Sequence, residues 1–153
     1  MKKLSVLYVC PDPGLGGSTR SLIQMIESLR ESVDPTVLLP REELAAPAMR
    51  DLGIPVFVIP FSLLHESPGI LSYFLTDAAC ERKISKTLSG KKIDLIHTNC
   101  SSVTIGESLS RRLKVPHVWH IREFLDLDFN FDVTLGIPRL QKKINRADAR
   151  IAV

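Results

Sequence analysis

The 153-residue chain is poor in the features that mark several broad classes of protein. Its three cysteines, Cys10, Cys80 and Cys100, form no C-x-x-C pair and leave one odd thiol, which suits a reducing compartment rather than a disulfide framework. No hydrophobic run is long enough to cross a membrane as a helix. The apolar stretch after Met1-Lys2-Lys3 is shorter than a signal peptide needs and runs into Cys10-Pro11-Asp12, so a buried first strand explains it better. The formal net charge of +3 is too small and too dispersed to argue for a nucleic-acid partner. Arg111-Arg112 with Lys114 is the one basic cluster, and it reads as a solvated helix end, where cations are favoured. There is no internal repeat and no low-complexity segment. A single cytoplasmic domain is expected.

The residues that are present describe such a domain. Hydrophobic residues at 44% and charged residues at 24% suit an ordinary globular core. Short apolar runs alternate with helical patterns: strands at 4–10, 36–39, 56–59, 93–98, 115–121 and 149–153, and helices starting near Ser18 and over 42–52, 70–88, 102–113 and 138–147. Ser18 is the expected N-cap of the first helix, whose apolar face is Leu22, Met25, Ile26 and Leu29. Alternating strands and helices with short links predict an α/β fold, a doubly wound parallel sheet of Rossmann-like type, with ligands at the carboxyl ends of the strands. Ile151-Ala152-Val153 reads as a strand with nothing after it to cover it, so the chain is expected to be part of a longer protein.

Between the first strand and the first helix lies Pro11-Asp12-Pro13-Gly14-Leu15-Gly16-Gly17-Ser18. Glycines at a helix N-terminus let backbone N–H groups approach an anion, and the helix dipole favours negative charge there. The loop is not a dinucleotide fingerprint, because Thr19 stands where the third glycine of G-x-G-x-x-G belongs, and it is not a Walker loop. A tight turn that uses glycine only for backbone freedom remains the alternative.

Four segments in order resemble the N-terminal half of the GT-B glycosyltransferases, particularly glycosyltransferase family 4. They are Gly16-Gly17-Ser18-Thr19-Arg20-Ser21-Leu22 after the first strand, Asp94-Leu95-Ile96-His97-Thr98-Asn99, then Val118-Trp119-His120-Ile121-Arg122-Glu123, and finally Ala147-Asp148-Ala149-Arg150-Ile151-Ala152-Val153. The resemblance covers nearly the whole chain. It implies one of two Rossmann-like domains facing each other across a cleft: the acceptor-side domain of an enzyme that transfers a sugar, with retention, from a nucleotide diphosphate sugar to an acceptor hydroxyl. The family's E-x7-E signature belongs to the C-terminal domain, and no Glu here has a Glu eight positions later. The C-terminal donor-binding domain of the same protein is therefore an expected partner, and this chain alone is expected to be inactive.

The resemblance also assigns roles. Gly16 and Gly17 would reach the donor diphosphate, with Ser18, Thr19 and Arg20 beside them, and His120 would contact the transferred sugar as the catalytic histidine. Asn99, Ser101, Arg122 and Glu123 are expected on the acceptor side, Arg122 and Glu123 either orienting the acceptor or pairing with each other. Residues 123–132, mixing carboxylates and aromatics, are a candidate for acceptor recognition. His97 is expected as a hydrogen-bonded core residue. No metal and no cofactor are expected. The acceptor would be a glycan or a lipid-linked molecule, which allows peripheral contact with the inner membrane face without any segment demanding it. A stand-alone nucleotide- or phosphate-binding module without transferase activity is the other reading, and a small dehydrogenase domain is disfavoured by the missing glycine.

Overall fold

The computed structural model describes residues 2–64, 69–123 and 133–153. Six strands form one all-parallel sheet. In chain order the elements are β1 (Leu4–Val9), α1 (Gly17–Ser28), β2 (Val33–Leu39), α2 (Ala45–Asp51), β3 (Val56–Val58), α3 (Ile70–Thr87), β4 (Leu95–Asn99), α4 (Ile105–Leu113), β5 (His117–Ile121), α5 (Ile137–Ile144) and β6 (Ala149–Ala152). The strands lie side by side as β3-β2-β1-β4-β5-β6. The order reverses between β1 and β4, which opens a crevice at their carboxyl ends.

The central strand shows why the sheet is covered on both faces. Val6, Tyr8 and Cys10 pack with Leu22 and Ile26 of α1 and with Ala45, Ala46 and Met49 of α2. The alternate residues Leu7 and Val9 pack on the other face with Ile84 of α3 and Ile105 and Leu109 of α4. Leu22 and Ile26 are fully buried, each worth about 1.5–3 kcal/mol of burial. Trp119 of β5 anchors a third cluster with Tyr73, Leu135 and Leu140. Between α4 and the sheet there is no room for a side chain at Gly106: a β-carbon there would sit 1.9 Å from Thr98 Oγ1.

The predicted Rossmann-like α/β fold is the one observed, with local differences. Gly16, not Ser18, is the N-cap of α1, in extended conformation (φ −65°, ψ 176°), and no side chain caps it. The helix simply starts one residue before Ser18. Leu29 is 40% exposed, so the buried face of α1 is narrower than its apolar pattern. Strand β2 begins at Val33 and runs through Pro35, which pairs with Val6. It tolerates proline because β3 pairs only with Val37–Leu39, leaving β2 a local edge at Pro35. Helix α2 starts at Ala45 rather than at residue 42, where Ala45 N–H bonds Pro13 O at 2.9 Å. The segment around 65–68 and most of the 123–132 stretch lie outside the described residues.

Candidate functional site

The Pro-Asp-Pro-Gly turn after β1 is held from beneath by Asp12. Its Oδ1 accepts a hydrogen bond from Gly14 N–H at 2.9 Å, an Asx turn, and its Oδ2 lies 2.9 Å from the Thr19 hydroxyl. Thr19 Oγ1 is also 3.1 Å from Asp12 O and 3.6 Å from Cys10 Sγ. A β-carbon on Gly16 would lie 2.7 Å from Asp12 Oδ2, whereas one on Gly17 would meet nothing within 4 Å. Gly16 is therefore required by packing and Gly17 is not. Burial pushes the Cys10 thiol up to about 11, so it is a neutral group under the loop.

The predicted loop residues divide by exposure. Gly16 and Gly17 are exposed at the start of α1, Ser18 is half-buried, and Arg20 points to solvent in the first turn. Thr19 is fully buried and its hydroxyl serves Asp12 and Cys10. Asp12 was not singled out from the sequence, although an Asp two residues before a glycine in a proline-rich turn is the local signal for this arrangement.

The carboxyl ends of β4 and β5 lie beside that loop. Asn99 is register-paired with His120. Asn99 Nδ2 donates to Ser18 O at 3.3 Å, and Asn99 Oδ1 accepts from Arg122 Nε at 2.7 Å. Arg122 Nη1 donates to Ser21 Oγ at 3.1 Å, reaching a residue of α1 that the sequence reading had not assigned a role. Ser101 and Glu123 form a separate pair: Ser101 N–H donates to Glu123 Oε1 at 2.9 Å, and Ser101 Oγ bonds Glu123 O at 3.0 Å. Arg122 and Glu123 thus do not pair with each other. The four residues expected together on the acceptor side form two groups, one tied to α1 and one closed on itself.

Between these groups Cys100 adopts φ 108°, a left-handed conformation that few non-glycine residues take. Its peptide is clamped from both sides, since Cys100 N–H bonds His120 O at 2.9 Å and Cys100 O accepts from Trp119 Nε1 at 2.9 Å. That sharp turn lets Asn99 face α1 while Ser101 faces Glu123. Burial pushes the Cys100 thiol well above its ordinary range.

His120 is 7% exposed, and neither ring nitrogen has a hydrogen-bond partner among the described residues. Its ring lies 5.5 Å from that of His97, which stacks in turn 5.3 Å from Tyr8. His97 is buried with Nε2 unpartnered, so ring contacts rather than the expected hydrogen bonding surround that nitrogen. Burial, assisted by the charges of His120, Arg122 and His117, holds His97 down at about 3. Burial and the Arg122 guanidinium also lower His120. Two neutral imidazoles, on β4 and β5, and a cation bonded to α1 at Ser21 are groups that can take an anion and donate or accept hydrogen bonds.

Residues 16–153 match the glycosyl transferase 4-like domain. The chain belongs to that family. The same fold appears in solved structures. Anabaena Alr3699/HepE in complex with UDP-glucose superposes with a TM-score of 0.71 at 20% identity, over 96% of this chain and 36% of that one. Arabidopsis thaliana UGT89C1 complexed with UDP gives 0.68 at 15% identity, over 99% of this chain and 42% of that one. Acinetobacter baumannii MurG gives 0.61 at 14% identity, over 99% and 41%. These likenesses establish the fold, that of a Rossmann-like domain of GT-B glycosyltransferases, and this domain spans well under half the length of each of those chains. No curated protein sequence matches it. Among the described residues no helix is long and apolar enough to cross a membrane, and no cluster of three or more His, Cys, Asp or Glu is placed to hold a metal ion.

Proposed function

We propose that this domain is the acceptor-side half of a retaining glycosyltransferase, which moves a sugar from a nucleotide diphosphate sugar to an acceptor hydroxyl on a glycan or a lipid-linked molecule. One observation carries the reading: the exposed Gly16-Gly17 start of α1 and the buried His120 ring, unpartnered among the described residues, both lie toward the carboxyl ends of β1, β4 and β5, where the strand order reverses. Gly17 has no packing reason to be glycine, and a backbone approached closely by a phosphate supplies one. The solved neighbours with UDP or UDP-glucose support the same ligand class.

In this reading the α1 N-terminus receives part of the charge that develops on the leaving diphosphate. His120 contacts the transferred sugar; its neutral ring, kept so by burial, offers a donor on one nitrogen and an acceptor on the other to sugar hydroxyls. Ser101 and Glu123 sit on the acceptor side. A second domain of the same protein grips the nucleotide, so the 153-residue chain alone transfers nothing.

The test is release of nucleoside diphosphate from a panel of nucleotide diphosphate sugars by the parent protein carrying this domain. His120→Ala is expected to lower kcat by about 100-fold or more with the fold intact. Nucleotide binding without any transfer by the parent protein would instead favour a stand-alone binding module.

A further inference from the structure

Arg122 is a half-buried cation that no carboxylate balances among the described residues. Glu123, its neighbour in sequence, is engaged with Ser101. Its two hydrogen-bond partners, Asn99 Oδ1 at 2.7 Å and Ser21 Oγ at 3.1 Å, are both neutral. Guanidinium groups removed from water are normally compensated by an anion, because neutral acceptors orient the fork without cancelling its charge. Asn99 and Ser21 fix the plane of the guanidinium through Nε and Nη1, and an arginine oriented in this way binds phosphoryl oxygens two at a time.

Its position is equally specific. Arg122 bonds α1 at Ser21, one turn from Gly17, and Asn99 bonds the same first turn at Ser18 O. His120, two residues before Arg122, presents two buried nitrogens without partners. A helix N-terminus, an arginine without a carboxylate partner and a histidine without a hydrogen-bond partner, both among the described residues, thus lie toward the carboxyl ends of the strands. Each asks for negative charge or for hydrogen-bonding oxygens.

We infer that Arg122 is a counter-charge for the donor diphosphate, set beside the α1 N-terminus by Asn99 and Ser21, rather than a contact for the acceptor. The inference rests on the reading of the Gly16-Gly17 loop as the diphosphate site. The two phosphoryl groups would share the backbone N–H donors of α1 and the free edge of the guanidinium. Asn99 and Ser21 are positioning residues for Arg122.

The test is NMR titration of the 153-residue chain with inorganic diphosphate. The expected result is movement of the Gly16 and Gly17 amides together with the Arg122 Nε–H resonance, with Arg122→Gln weakening binding about tenfold or more and Arg122→Lys restoring part of it. A guanidinium with only a structural role would leave its Nε–H resonance still while the glycine amides move, and that pattern needs no variant to fold. Binding that Gly17→Val weakens but Arg122→Gln does not would overturn the role of Arg122 and leave the loop reading standing. Binding indifferent to both variants, or no shifts at tens of millimolar diphosphate, would remove both.

Discussion

The Asp12 carboxylate occupies the space that a side chain on Gly16 would need. Its Oδ2 lies 2.7 Å from the position of a Gly16 β-carbon, while its two oxygens hold Gly14 N–H and the Thr19 hydroxyl. A carboxylate beneath a loop proposed to bind an anion looks out of place. Its charge is turned inward, however, and taken up by donors of the loop itself. Rigidity and openness of the loop are thereby separated: Asp12 with Gly16 supplies the first and Gly17 the second.

That separation gives the first prediction. Gly16→Ala drives a methyl group into a carboxylate fixed by two hydrogen bonds and should destabilise the fold by about 1–3 kcal/mol. Gly17→Ala, at the first position of α1 with open space around it, should be neutral or stabilising by about 0.5 kcal/mol. Urea denaturation of the two variants checks this, and equal losses would refute the packing account.

A second prediction concerns Gly106, whose substitution by Ala would place a methyl group 1.9 Å from Thr98 Oγ1 and 3.4 Å from His117 Nε2. Helix α4 would have to lift off the sheet. The expected loss is about 3 kcal/mol, partly recovered in the double variant with Thr98→Ala. A lone Gly106→Ala variant melting like wild type would show that α4 sits less tightly than this.

The third prediction follows from two buried histidines. Burial holds His97 at about 3 and His117 at about 4, against an ordinary value of 6.5. As pH falls below 6.5 the unfolded chain takes up protons that the folded chain refuses, so stability is complete above that value and is lost progressively down to the folded values. Each residue contributes a slope of up to about 1.4 kcal/mol per pH unit in that window. His97→Phe, which keeps the ring contact with Tyr8, should flatten the slope of urea midpoint against pH between about pH 6.5 and about pH 4.5. An unchanged slope would mean that His97 is not the group responsible.

A fourth prediction addresses the polar contact between α4 and α5. Glu107, 3% exposed, receives Lys143 Nζ at 2.7 Å, with Arg111 and Arg146 each at 3.6 Å. Glu107→Gln strands the shielded Lys143 ammonium and should cost about 2–4 kcal/mol. Arg111→Ala and Arg146→Ala remove exposed partners and should each cost less than about 1 kcal/mol. The ranking is read from thermal unfolding of the three variants, and a reversed order would place the stabilising contact outside the Lys143 pair.

Much of the architecture was legible beforehand. The short apolar runs at 4–10 and 93–98 marked buried parallel strands, and β4 lies beside β1 as Rossmann-like order requires. Where the reading slipped, a long-range partner decided the matter. Pro35 sits in a strand because β3 is short, and Leu29 is exposed as the residue that caps the end of α1.

The candidate residues could be named from the sequence, but their pairings could not. Gly16, Gly17, Asn99 and Arg122 were named from a glycine loop and strand ends, which are local features, and His120 from the family resemblance. Asp12 was within reach of the same reasoning, since an Asx turn spans two residues.

Sequence alone determined the element order, the two-faced sheet and the glycine loop before a helix, because hydrophobic period and turn chemistry act over a few residues. Only the tertiary structure decided which charge met which partner. Arg122 reaches Ser21 across 101 positions of chain and Glu123 reaches back to Ser101 across 22. A side chain's choice of partner depends on which strand ends the sheet brings together, and that is set when the whole core closes.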